Sequence, residues 1–265
     1  MIIEGRTWRY SVCGQGKKNL LLIISNFIGE YLSLPIAEQF QSEYRILALS
    51  LPPNPSYQKG IEGLYTILKE ENFDPCDVVG HSMGGCYIQG LVRKYPELVN
   101  KIVFSHASTV MSAQDKETIN ARDIKACGFI LKVLPVLPMT LIKKKLGSAI
   151  IGNVSMSSPE AIKVLNKLVR ENFSKITKKD FSDVIKGMLD FLKNEIFSSA
   201  HYVQKPEKIL LIDSEDDSVV TRQQLDEMYQ LCPGAKSYRF KNGGHVTIFT
   251  RTQEYLEVLK SFLRL

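Results

Sequence analysis

The stretch Val78-Val79-Gly80-His81-Ser82-Met83-Gly84-Gly85 decides how this chain is read. It sets Ser82 between Gly80 and Gly84, with Gly85 behind. Cys76-Asp77-Val78-Val79, following Pro75, is a short apolar run that reads as a strand. Beyond it Ile88, Leu91, Val92 and Tyr95 recur at helical spacing until Pro96 stops the run. A strand, a sharp turn at a serine and then a helix is the setting a nucleophilic serine requires. Such a turn holds its central residue in a strained conformation. Side chains at positions 80 and 84 would collide there, and Gly85 lets the helix sit close to the neighbouring strands. The Ser82 hydroxyl is then expected at a helix N-terminus, where free N–H groups and the positive dipole end favour a developing anion.

The pattern extends in both directions. Residues 6–13 alternate and end at Gly14-Gln15-Gly16, which predicts a strand and a turn. The apolar runs at 19–24 and 45–49 predict strands buried on both faces. A helix is expected over 57–71 and a further strand over 101–105. Strands return at 208–212 and 236–240, and a helix over 253–263 finishes the chain. Between Thr109 and Pro206 helical spacing takes over, as at 161–169 and 184–192. These observations predict an α/β fold with a mostly parallel central sheet flanked by helices. The core is expected over 1–108 and 207–265, with 109–206 a helical lid inserted before the last two strands.

Bulk properties narrow the function. The chain has 265 residues, 44% of them hydrophobic, enough for one large α/β domain. No apolar run approaches the length of a membrane span, and Met1 to Arg6 lacks the apolar segment of a signal peptide. The five cysteines form no C-x-x-C pair, so reduced thiols, no zinc site and a cytoplasmic location are expected. The net charge of +6 is concentrated in residues 109–206, which hold 16 Lys and Arg against 9 Asp and Glu. No nucleic-acid motif accompanies that charge, so a solvated helical surface is its simplest reading.

A serine nucleophile needs a base, and the base an orienting acid. Of the four histidines, His81 lies inside the turn and should point away from Ser82. His106 follows a strand and could line the pocket, and His201 sits where the lid returns to the core. His245 lies in Asn242-Gly243-Gly244-His245, a loop after the last predicted strand, where α/β sheets bind ligands. It is the preferred base. Ser214-Glu215-Asp216-Asp217-Ser218 follows the strand at 208–212 and offers three adjacent carboxylates for the acid.

The chain resembles the α/β-hydrolase superfamily, lidded serine-hydrolase type, over nearly its whole length. The resemblance rests on residues 80–85, on 212–220 and on Gly243-Gly244-His245. The second block usually reads like G-E-D-D-P in that family, with the catalytic acid just before the proline. Ser214 and Ser218 stand at the glycine and proline positions, which carries the role to Asp217, with Asp216 second. The resemblance implies a triad of Ser82, His245 and Asp217, with an oxyanion hole formed by the backbone N–H groups of Met83 and Phe27. The family's usual His-Gly before that second donor is replaced here by Ser25-Asn26, and D-x-P-G-x-G by Ser50-Leu51-Pro52-Pro53-Asn54-Pro55. The expected activity is hydrolysis of a small or medium carboxylic ester or thioester, with a small acyl substrate and no metal or organic cofactor. A ligand-binding, signalling member of the same fold is the alternative. The serine argues against epoxide hydrolase and haloalkane dehalogenase relatives, which resemble this fold but place a carboxylate at the turn. The same constellation also serves carbon–carbon bond hydrolases and perhydrolases.

Within the lid, the apolar run 129–138 is expected to line the acyl pocket and pack on the core. Lys143, Lys144 and Lys145 are expected to stay solvated, without stable membrane insertion.

Overall fold

The computed structural model describes residues 1–26, 29–144, 162–163, 166–167, 170–172 and 174–264. β1 (Ile2–Ile3) and β2 (Arg6–Thr7) pair as a small antiparallel ribbon. The main sheet has seven strands. They are β3 (Arg9–Cys13), β4 (Lys18–Asn26), β5 (Tyr44–Leu51), β6 (Cys76–His81), β7 (Val99–Ser105), β8 (Ile209–Ser214) and β9 (Lys236–Phe240). Their spatial order is β3-β5-β4-β6-β7-β8-β9. β3 runs antiparallel to β5, and the other pairings are parallel.

The helices are α1 (Gly29–Leu32), α2 (Leu34–Phe40), α3 (Tyr57–Glu70) and α4 (Met83–Lys94) in the first half. Between β7 and β8 stand α5 (Ala113–Glu117), α6 (Ala121–Val133) and α7 (Lys178–Asn194). α8 (Arg222–Leu231), α9 (Thr247–Thr250) and α10 (Thr252–Leu263) complete the chain. Strand alternation distributes the core between two layers. Leu21, Ile23, Leu47, Leu49 and Val78 pack on the side of α3 and α4. Leu20, Leu22, Ile46, Val79 and Val103 pack on the side of α2 and α10. Burial on both faces is why β4 reads as an unbroken apolar run.

The single strand expected over 6–13 is broken at Trp8. Its indole is buried beneath α3, where a Cβ on Gly63 would strike the ring. Trp8 N–H donates to the Met1 carbonyl (2.8 Å), so the chain pairs with β1 before the indole and with β5 after it.

The segment between β7 and β8 is mostly helical where described, and most of residues 161–169 lie outside the described residues. α7 opens with a capping box at Thr177 and Asp180. It returns onto the core through Phe191, whose ring centroid is 5.2 Å from that of Tyr57, and through Asp190, which accepts the Tyr57 N–H (2.8 Å). The apolar run 129–138 does not pack inward as a block. α6 carries it as far as Val133, and a helix cannot bury every side. Cys127 and Leu134 face inward, while Phe129 and Val136 are 64% and 81% exposed. Lys144 is exposed, Lys143 Nζ donates to the Ser174 carbonyl (2.7 Å), and Lys145 lies outside the described residues. The cysteines are free thiols, four of them buried. Among the described residues no helix is long and apolar enough to cross a membrane.

Candidate active site

β6 ends at His81 and α4 begins at Met83, so Ser82 alone makes the turn. It does so at φ 52° and ψ −122°, a region costing on the order of 1–3 kcal/mol for a residue with a side chain. The backbone around it is pinned. Ser82 N–H donates to the Ser105 carbonyl (2.8 Å), and the Ser82 carbonyl accepts from Gly85 N–H (2.9 Å). A Cβ at position 80 would come within 2.7 Å of the Gly85 nitrogen, and one at Gly84 would overlap the Ile23 carbonyl of β4. The glycines thus let α4 start in the groove beside the strands. The Ser82 hydroxyl does not cap α4, and the residue is partly exposed.

Two loops at the same end of the sheet complete the site. Beyond β8, Asp216 and Asp217 diverge. The Asp216 carboxylate accepts the N–H groups of Gly243 (3.2 Å) and Gly244 (2.9 Å), and so holds the loop that carries His245. Ser214 Oγ donates to the Gly244 carbonyl (2.6 Å) from the same side. Gly243 and Gly244 adopt φ of 138° and 65°, which makes this sharp loop accessible. Asp217 turns inward, and its Oδ2 lies 2.9 Å from His245 Nδ1. Its Oδ1 accepts the N–H groups of Val219 (2.8 Å) and Val220 (3.0 Å). The His245 ring centroid is 4.9 Å from that of His81, the residue before Ser82. With Nδ1 turned to Asp217, Nε2 of His245 is the nitrogen left for the serine. No hydrogen bond joins Ser82 Oγ to His245 among the described residues.

The remaining histidines separate clearly. His81 is buried, with Nδ1 3.3 Å from Ser105 Oγ. Burial first, then the neighbouring His245 and His106, holds its pKa well below the ordinary imidazole value. His201 is exposed beside Pro96, Val99 and Asn100, at the opposite end of the strands. His106, read from sequence as able to line the pocket, is instead fully buried at φ 49°. Its Nδ1 lies 2.9 Å from Asp217 Oδ2 and its Nε2 2.9 Å from Thr247 Oγ1. Two imidazoles therefore share one carboxylate oxygen. Burial would raise the Asp217 pKa, but the hydrogen bonds from His106 and His245 overcome it and hold the carboxyl well below the usual carboxylate range. The roles of His106 and Thr247 went unread because a lone histidine at a strand end carries no local pattern. Phe27 lies outside the described residues. Met83 is the first residue of α4, where an N–H group has no intrahelical acceptor.

His106, Asp217 and His245 offer ligand atoms within 4.8 Å of one another. Both imidazole Nδ1 atoms point at Asp217, so a cation there would have to displace their protons. Hydrogen bonding accounts for the cluster without an ion.

No family model matches the chain. Epoxide hydrolase 4 of Mus musculus is 28% identical over 120 residues, which are 40% of this chain and 33% of that protein. The matched part thus spans about a third of the relative. Solved structures align over nearly the whole chain. A hydrolase from Pseudomonas aeruginosa gives a TM-score of 0.74 at 14% identity, covering 98% of this chain and 95% of that one. The enol-lactonase of Burkholderia xenovorans gives 0.72 at 14%, covering 99% and 98%. A bromoperoxidase from Bacillus anthracis gives 0.72 at 18%, covering 98% and 96%. The mostly parallel sheet flanked by helices is the architecture of these proteins: the chain has the α/β-hydrolase fold.

Proposed function

We propose that the protein is a serine hydrolase that cleaves a small or medium carboxylic ester or thioester through an acyl-enzyme. One observation carries this reading. A strained serine turn stands beside a histidine whose Nδ1 is bonded to a buried carboxylate, on loops at one end of the sheet. In this account Ser82 Oγ attacks the acyl carbonyl while His245 Nε2 takes its proton. The same proton then goes to the leaving alcohol or thiol as the tetrahedral intermediate collapses to the acyl-Ser82 ester. Water, deprotonated by His245, attacks that ester and releases the acid and the free serine. Asp217 fixes the His245 tautomer and stabilises the imidazolium. The Met83 N–H, at the positive end of α4, and the Phe27 N–H hold the oxyanion, each donor typically contributing about 3 kcal/mol.

The serine at the turn also bears on the mouse relative's name. Attack of a serine on an epoxide would give an ether, which water and this triad cannot cleave. Attack on an acyl carbonyl gives an ester, which they can. The helical segment over 109–206 is proposed as the lid that shapes the acyl pocket.

Purified protein assayed against p-nitrophenyl esters from acetate to decanoate tests this reading. Turnover of at least one chain length, with a single optimum, is expected. Absence of turnover across the series contradicts it.

A further inference from the structure

His106 ties together three strand ends. It follows β7, its Nδ1 meets Asp217 on the loop beyond β8, and its Nε2 meets Thr247, two residues beyond His245. His106 and Asp217 side chains are 0% and 1% exposed, so neither contact is shared with water. The backbone N–H of His106 donates to the Ile212 carbonyl (2.8 Å), which holds the residue at its positive φ. A non-glycine residue kept there by so many contacts signals a side chain whose direction matters. The ring is too deeply placed to serve a substrate. Burial foremost, opposed by the bond to Asp217 and reinforced by His245, keeps its pKa below the ordinary imidazole value. A neutral ring that donates from Nδ1 must accept at Nε2, so Thr247 Oγ1 donates to it.

We infer that His106 is a positioning residue for the Asp217–His245 pair, clamping the carboxylate and taking half of the hydrogen-bonding capacity of Oδ2. This rests on the reading of Asp217 and His245 as acid and base. Asp217 then offers His245 less than a full carboxylate charge, so removing His106 should strengthen the interaction of Asp217 with the His245 imidazolium. The other groups facing this cluster are His81, Asp216 and Asp213. His81 stands 5.5 Å from the His106 ring, centroid to centroid. Asp216 is held by Gly243 and Gly244. Asp213 is held by Arg239 and Tyr229. The partners of Asp216 and Asp213 do not include His106, whereas His81 loses one of the neighbours that hold its pKa down.

The test is an NMR titration of the protein carrying 13C-labelled histidine Cε1, alongside the pH profile of ester hydrolysis. His106→Phe keeps an aromatic ring, somewhat larger than imidazole, and removes both hydrogen bonds. His106→Asn keeps an N–H where Nδ1 stands. In His106→Phe the His245 ring should titrate at least about half a pH unit higher than in the parent. The acidic limb of kcat/KM should move with it. In His106→Asn both should return to the parent position. An unmoved His245 titration in His106→Phe overturns the inference, as does an equal shift in both variants. Should His106→Phe fail to fold, Thr247→Val takes its place, with a smaller shift in the same direction expected and no shift overturning the inference. The NMR arm needs no turnover, so it decides this claim even where the ester hydrolase reading fails.

Discussion

Asp217 receives four hydrogen bonds, from His106, His245 and the Val219 and Val220 amides. Asp216, its neighbour, spends its carboxylate on two glycine amides instead. The two acids therefore differ in kind, although they look alike in sequence. Asp217→Asn puts an N–H donor where an acceptor is required, and kcat for a p-nitrophenyl ester should fall on the order of 10⁴-fold. Asp216→Asn keeps one acceptor oxygen for the histidine loop, and its loss should stay within about tenfold. Steady-state kinetics on both variants checks the ordering, and a larger loss at Asp216 would reverse the assignment.

The helices between β7 and β8 meet the core through a buried acidic contact. Glu227 on α8 is 4% exposed and faces Asp115, which caps α5. Burial first, then the charge of Asp115 and the hydrogen bond to it, pushes the Glu227 pKa up to about 8. The folded protein thus holds a proton that the unfolded chain releases at the ordinary glutamate value. This contribution to stability is full below that value and is lost as pH rises through about 8. Above the ordinary imidazole value, where the buried His81 and His106 no longer oppose it, the melting temperature should accordingly decline toward pH 8. Glu227→Gln, which donates to Asp115 at any pH, should flatten that decline in calorimetric scans, and an unchanged slope would count against the shared proton. Along α6 and its C-cap Leu134 the inward and outward positions should differ as sharply. Leu134→Ala should destabilise by about 2–4 kcal/mol in urea unfolding and shift the preferred acyl chain length. Phe129→Ser, at a 64% exposed position, should stay within about 0.5 kcal/mol.

Across the whole molecule, what the sequence made legible was whatever short-range pattern encodes. Strands buried on both faces read as unbroken apolar runs, so β4 to β8 were placed within a few residues, and the Gly80-to-Gly85 turn located Ser82. The break at Trp8 was not legible, because it depends on Gly63 leaving room 55 positions away. The split orientation of residues 129–138 was hidden by a run apolar at every position. His106 was hidden for a longer-range reason: Asp217 and Thr247 lie 111 and 141 residues beyond it. Only the assembled sheet brings those three loops together, and the catalytic account depends on that meeting of strand ends. It is tested most directly by ester turnover of Ser82→Ala beside the parent protein, with fluorophosphonate labelling of both and melting temperatures to verify folding. The account predicts one equivalent of label on the Ser82 peptide of the parent, none on the variant, and a loss of kcat of about 10⁴-fold or more. A folded Ser82→Ala protein that retained most of the parent's turnover would contradict it.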